Sequence, residues 1–231
     1  MDKNNNKTLI KRFERKWLFE NSNIDTIKIA ILRSKLLFNE IYTARTVNSL
    51  YFDDCKFSSI IQNLDGLMNK VKYRIRWYGN KNIILKPQLE IKSKKGFISS
   101  KETINLDIEE KIYFNFEGLN KIKKFIYKHK KDKINLQPVL STHYYRNYFL
   151  SSNKNIRATL DSNLCSSLLY GFTNYDFKRN FNKTILEFKY NQEFDNYVRK
   201  NLNNISPRIS RSSKYIISAM ERPTYFSYSN V

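Results

Sequence analysis

The sequence predicts an α+β fold, an antiparallel sheet or eight-stranded barrel with helices packed outside it. Three observations carry this expectation. Strand-like segments mostly follow one another in meander fashion. At least four of them sort charge onto one face and bulky apolar residues onto the other. Helical spacing is confined to a few segments between them.

Taken in order, RFERKWLFE places Glu14 and Lys16 on one face and Phe13, Trp17 and Phe19 on the other. Ile24 to Tyr42 carries apolar residues at helical spacing. TVNSLYFD is β-branched and aromatic, as strands are. KVKYRIRWYG sets Lys70, Lys72, Arg74 and Arg76 opposite Val71, Tyr73, Ile75 and Trp77. KPQLEIKSK groups Glu90, Lys92 and Lys94 against Leu89 and Ile91, and ETINL follows. A second helix is expected over Glu109 to Lys131. THYYRNYFL, IRATLD and TILEFKYN complete the eight strands, with Glu187 and Lys189 sharing a face in the last. A short helix over Phe194 to Leu202 and another from near Ser212 end the pattern.

The 231 residues contain no internal repeat and no Pro/Gly/Ser linker, so a single domain over 1–231 is expected. An apolar fraction of 41% and aromatics at 15% exclude global disorder. Lys and Arg outnumber Asp and Glu by 42 to 21, which makes the expected partner an anion. Composition leaves nucleic acid, an acidic membrane surface and a small polyanion open. Cys55 and Cys165 form no disulfide or zinc spacing. No apolar run is long enough to span a membrane, and MDKNNNKT is polar, so a soluble cytoplasmic protein is expected. No Walker sequence, catalytic triad or histidine cluster is visible.

The charged strand faces have two placements. Facing water is the ordinary one for a single strand. Taken jointly, though, helices on the outside need the apolar faces, which leaves the charges lining a lumen. Glu14, Glu90 and Glu187 are too few to neutralise the cations there. Such a lumen needs an anionic guest, and phosphate chains suit Arg forks and Lys point charges. The carboxylates could then hold a divalent cation together with phosphate oxygens. An empty site of this kind repels itself, so removing Arg74 and Arg76 is expected to leave the fold intact or more stable. Nucleic acid fits less well, because the aromatics of KVKYRIRWYG lie opposite its cations, with none among them to stack on bases.

The motifs RFERKW, SLYFDD, LDGLMNKVKYRIRWYG, LEIK, THYYRNYF, IRATLD, ILEFKY and SSKY occur in an order that resembles the vacuolar transporter chaperone (VTC) domain, from about Lys11 to Tyr215. That domain belongs to the triphosphate tunnel metalloenzyme superfamily. The resemblance implies a tunnel of the triphosphate type that binds ATP, triphosphate or polyphosphate with Mn2+ or Mg2+. It also implies a polyphosphate polymerase that passes the γ-phosphoryl of ATP to a growing chain. Carried over, it gives catalytic roles to Lys16, Arg74, Arg76, Lys92, Lys101, Arg146 and Lys214. Tyr144, Arg157, Lys189, Arg211 and Ser213 become substrate-binding residues, and Glu187, with Glu14 and Glu90, the metal ligands. Two positions depart from the family pattern. Arg12 stands where the superfamily's first strand has a further glutamate, and Arg211 where a lysine is common. A triphosphatase with water as acceptor, and a non-enzymatic binder of polyphosphate or nucleic acid, remain as alternatives.

Overall fold

A computed structural model describes residues 12–96, 98–106, 108, 110–130, 135–169, 179–202 and 213–221. The chain runs β1 (Arg12–Glu20), α1 (Ile24–Leu32), β2 (Phe38–Asp53), α2 (Ser58–Leu64), β3 (Lys70–Tyr78) and β4 (Ile83–Ile84). It continues through β5 (Gln88–Lys95), β6 (Ile98–Asn105), β7 (Ile112–Tyr113), α3 (Phe116–His129), β8 (Gln137–Ser151) and β9 (Arg157–Leu168). The last elements are β10 (Arg179–Phe181), β11 (Lys183–Asn191), α4 (Asp195–Asn201) and α5 (Lys214–Met220).

The eight expected strands all form and share one sheet, in the order β1-β11-β9-β8-β2-β3-β5-β6. The ladders β1–β11, β11–β9, β2–β3, β3–β5 and β5–β6 are antiparallel. Three short strands were not expected: β10 pairs with β9, and β4 pairs with β7 apart from the main sheet.

Two helices are shorter than their spacing suggested. The segment expected as a helix over Ile24 to Tyr42 stops at α1, and Phe38 already begins β2. A turn closed by Leu37 N–H to Ser34 O, with Leu37 at φ 50°, reverses the chain between them. The segment expected over Glu109 to Lys131 yields α3 only from Phe116, because Ile112 and Tyr113 are taken by β7. Its ends, Glu109 and Lys131, lie outside the described residues. Asn115 caps α3, its side chain accepting from Gly118 N–H at 2.9 Å. A Cβ at Gly118 would meet the Tyr113 carbonyl oxygen at 1.9 Å, so only glycine fits there.

The described residues pack as two compact units, each drawn from three stretches of chain. The first takes in those of Met1–Ala44, Arg146–Ser162 and Asn182–Arg211. The second takes in those of Arg45–Tyr145, Asn163–Phe181 and Ser212–Val231. In the first, Trp17, Phe19, Leu160, Leu186 and Phe188 share a core with Ile27 and Ile31 of α1 and Val198 of α4. Arg15, on that same strand face, donates to Asp195 at 2.6 Å and fastens α4 to the sheet. In the second, Tyr73, Ile75, Trp77, Leu89 and Ile91 pack against Leu119, Ile122 and Ile126 of α3. Each such side chain contributes roughly 1.5–3 kcal/mol by leaving water. These three helices take the apolar strand faces, as expected. Helix α5 does not: its Tyr215 stacks on Tyr51 at 4.6 Å, and Tyr51 stands opposite Arg74 on the charged face. Among the described residues no helix is long and apolar enough to cross a membrane.

Candidate functional site

In the second unit, antiparallel register turns the charged strand faces into a grid. Directly opposed residues share a face. Lys70 meets Lys94, Lys72 meets Lys92, Arg74 meets Glu90, and Arg76 meets Gln88. Strand β6 adds Lys101 beside Lys92. This face of the three strands therefore carries seven cations and one carboxylate.

That carboxylate gathers three of them. Glu90, 2% exposed, is bridged by Arg74 through two guanidinium nitrogens, by Arg76 at 3.1 Å and by Lys101 at 2.9 Å. Burial opposes ionisation of Glu90, yet Arg74 and Arg76 hold it well below the usual carboxylate range. The metal role expected for Glu90 sits poorly with these surroundings, since its oxygens already serve three cations. Arg74 also lies 5.8 Å from the Tyr51 ring. The buried Nε of Arg76 has no acceptor among the described residues. Buried donors are normally satisfied, so this one points to an absent acceptor.

At the same face, Lys214 opens α5 and sets its ammonium 4.4 Å from the centre of the Tyr144 ring. Ser213 takes the N-cap position, with no side-chain bond to the helix. Arg211 lies outside the described residues. Helix α5 is anchored by Asp53, 3% exposed, which the sequence reading did not single out. Asp53 accepts from the Tyr215 hydroxyl at 2.8 Å and from the backbone N–H groups of Ser59 and Ile60. Burial pushes its carboxyl up to about 6 against these hydrogen bonds. Because this folded value lies above the unfolded one, protonated Asp53 favours the folded state. That contribution is complete below about pH 4 and lost as pH rises through about 6. Its size is roughly 3 kcal/mol. Thermal unfolding of Asp53→Asn across this window is expected to lack the decline. An Asp53 carboxyl 13C shift that titrates near pH 4 would refute the assignment.

In the first unit a second grid forms on β1, β11 and β9. Glu14, Lys189 and Arg157 make one row, and Lys16, Glu187 and Thr159 the next. Lys16 pairs with Glu14 and, at 3.7 Å, with Glu187, while Lys189 pairs with Glu187 and, at 3.9 Å, with Glu14. Burial opposes ionisation of Glu187, but Lys189 and Lys16 bring it down to about 2. Burial and Glu187 raise Glu14, and the same two lysines reverse this, so its net shift is downward. Arg157 is exposed. Arg146 forks onto Asp161 at 2.5 and 2.7 Å. Asp161, 1% exposed, was overlooked although it closes the IRATLD motif. Only the pairing could reveal its role, since in sequence it resembles a turn residue.

The donor set here fits a hard divalent cation. Glu14 and Glu187 supply carboxylate oxygens, and the buried Thr159 hydroxyl in their grid has no partner among the described residues. The described residues contain no cluster of three His, Cys, Asp or Glu with metal geometry, so such an ion would draw its other ligands from substrate and water.

A family model for the VTC domain matches residues 11–221, most of the chain. The chain belongs to the VTC domain family. Among solved structures, this VTC domain is similar to a protein from Pyrococcus horikoshii OT3, with 11% identity and a TM-score of 0.50 over 92% of this chain and 100% of that one. It is also similar to an adenylate cyclase candidate from Vibrio parahaemolyticus, with 15% identity and a TM-score of 0.50 over 90% and 98%. At these identities the likeness shows the fold alone. A search of curated proteins returns no match.

Proposed function

We propose that this VTC domain is a metal-dependent phosphotransferase that passes the γ-phosphoryl of ATP to a polyphosphate chain in the cytoplasm. The observation that supports the reading most directly is the grid of β3, β5 and β6. There one face of three strands carries seven cations and one carboxylate, and the buried Arg76 Nε has no acceptor among the described residues. Phosphoryl transfer requires in-line positioning and cations on the equatorial oxygens of a loose transition state. Arg74, Arg76, Lys92 and Lys101 supply the cations in this unit, and Glu90 holds the two guanidinium forks in place rather than binding metal. Lys214 and Ser213 at the start of α5, with Tyr144, contact the phosphates or their carrier. In the other unit Lys16, Lys189, Arg146 and Arg157 bind phosphate oxygens, and Glu14 and Glu187 hold Mn2+ or Mg2+. When bound, the ion offsets phosphate charge. No side chain need act as nucleophile, because a terminal phosphate can.

The test is incubation with ATP and Mn2+, followed by separate assays for polymer and for free phosphate, with triphosphate and duplex DNA compared as stabilisers. Polymer formation is expected. Triphosphate is also expected to raise the Tm well above the effect of DNA at matched phosphate, because only a ligand of the folded state stabilises it. Free phosphate without polymer would convert the reading to a triphosphatase. No turnover, with DNA matching triphosphate, would convert it to a basic binder.

A further inference from the structure

Two sequence motifs, SLYFDD on β2 and SSKY at the start of α5, meet in the second unit through Tyr51, Asp53 and Tyr215. Tyr51 and Asp53 are two residues apart on one strand and so project from the same face. Tyr215 closes on both at once. Its ring lies 4.6 Å from that of Tyr51 with 10° between their planes, and its hydroxyl donates to Asp53 at 2.8 Å. The stack sets how far α5 stands from the sheet, and the hydrogen bond sets where along β2 it stands. Apolar packing alone gives no such direction, although Tyr215 and Ala219 do share a buried cluster with Phe57 and Ile60. Asp53 also accepts from the backbone N–H groups of Ser59 and Ile60 in the first turn of α2, at 3.0 and 3.3 Å. One buried carboxylate thus ties α2, β2 and α5 together.

This contact has the candidate site on both sides. Lys214, the chain neighbour of Tyr215, holds its ammonium 4.4 Å from the centre of the Tyr144 ring. Across the stack, the Tyr51 hydroxyl accepts from Arg74 at 3.4 Å. A lysine head rides on a flexible four-carbon stem, so it is placed no better than the backbone that bears it. Helix α5 has only seven residues, too few to hold its place without tertiary contacts.

We propose that Tyr215 is a positioning residue of this site, which through Asp53 and Tyr51 fixes α5 so that Lys214 meets phosphate on the face that carries Arg74. The inference rests on the reading of Lys214 as a phosphate ligand. Tyr215 touches no phosphate itself, because its hydroxyl is committed to Asp53 and its ring to Tyr51. Its influence on binding therefore passes through Lys214.

The test is a double-mutant cycle of Tyr215→Phe and Lys214→Ala on the full chain, read as triphosphate affinity by calorimetry. Phe keeps the ring stack and the apolar packing and loses only the hydroxyl. Thermal unfolding reports that each variant is folded at the assay temperature. Tyr215→Phe is expected to weaken triphosphate binding about fivefold where Lys214 is present, and less than about 1.5-fold where it is already Ala. A residue with only a structural role would weaken both backgrounds alike. Tyr127→Phe serves as the control: its hydroxyl accepts from Leu136 N–H at 3.0 Å in the same unit, on the helix that covers the apolar strand face. Its loss is expected to lower the Tm and to leave triphosphate affinity within about 1.5-fold of wild type. Unchanged affinity in Tyr215→Phe, an equal loss in both backgrounds, or an equal loss in the control would overturn the positioning role. Unchanged affinity in Lys214→Ala alone would instead overturn the reading it rests on.

Discussion

Replacing Arg74 and Arg76 together by Ala is expected to abolish triphosphate binding and to destabilise the fold by roughly 3–5 kcal/mol. The stability half of this result reverses the expectation drawn from the sequence, which saw four like charges on one strand and inferred relief. In the structure both guanidinium groups meet Glu90, which is 2% exposed and would keep only Lys101 as a partner. A stranded buried carboxylate costs more than cation repulsion returns. Adding Glu90→Gln is expected to recover most of the stability and none of the binding. Calorimetric titration with triphosphate and thermal unfolding of the three proteins separate these effects. Unchanged triphosphate affinity in the double variant would remove this face from the site.

The reversal marks where sequence reading stops. Alternation alone assigned Arg74 and Arg76 to one face and Ile75 and Trp77 to the other, because a two-residue period is local information. Which carboxylate they meet depends on the register of β3 against β5, and alternation does not encode register. The same limit hid Asp161, whose meaning comes from Arg146 on another strand. It also hid Asp53, whose partners lie on α2 and α5. Helical spacing misled over Ile24 to Tyr42 because apolar residues of β2 continue the period of α1 by chance, across a turn that periodicity cannot register.

Changing Glu187 to Gln carries the second large effect. The substitution keeps shape and removes the charge that Lys16 and Lys189 surround. If Glu187 holds the divalent ion, ATP should still bind through the Lys and Arg groups without metal, while turnover falls by roughly 10²-fold or more across a manganese titration. If it only pairs lysines, turnover at saturating manganese should match wild type. In that case the cost should be confined to stability, roughly 3 kcal/mol by its displacement from the usual range to about 2. That stability is present above about pH 4.5 and lost as pH falls towards 2. Binding of ATP without metal, measured first, keeps the two effects apart. Full activity at saturating manganese would exclude Glu187 as a ligand.

The pairing of β1 with β11 bears on how the chain reaches this state. Arg15 and Tyr190, bonded across that ladder, are 175 positions apart. At translation rates of 5–20 residues per second, β1 waits on the order of ten seconds or more for its partner to be made. Its apolar face, with Trp17 and Phe19, meets no β11 until then. Long-range closure of this kind is slow even in the finished chain. The first unit therefore depends on its last strand, and a ribosome stalled before Lys183 would carry β1 as an unpaired, aggregation-prone edge.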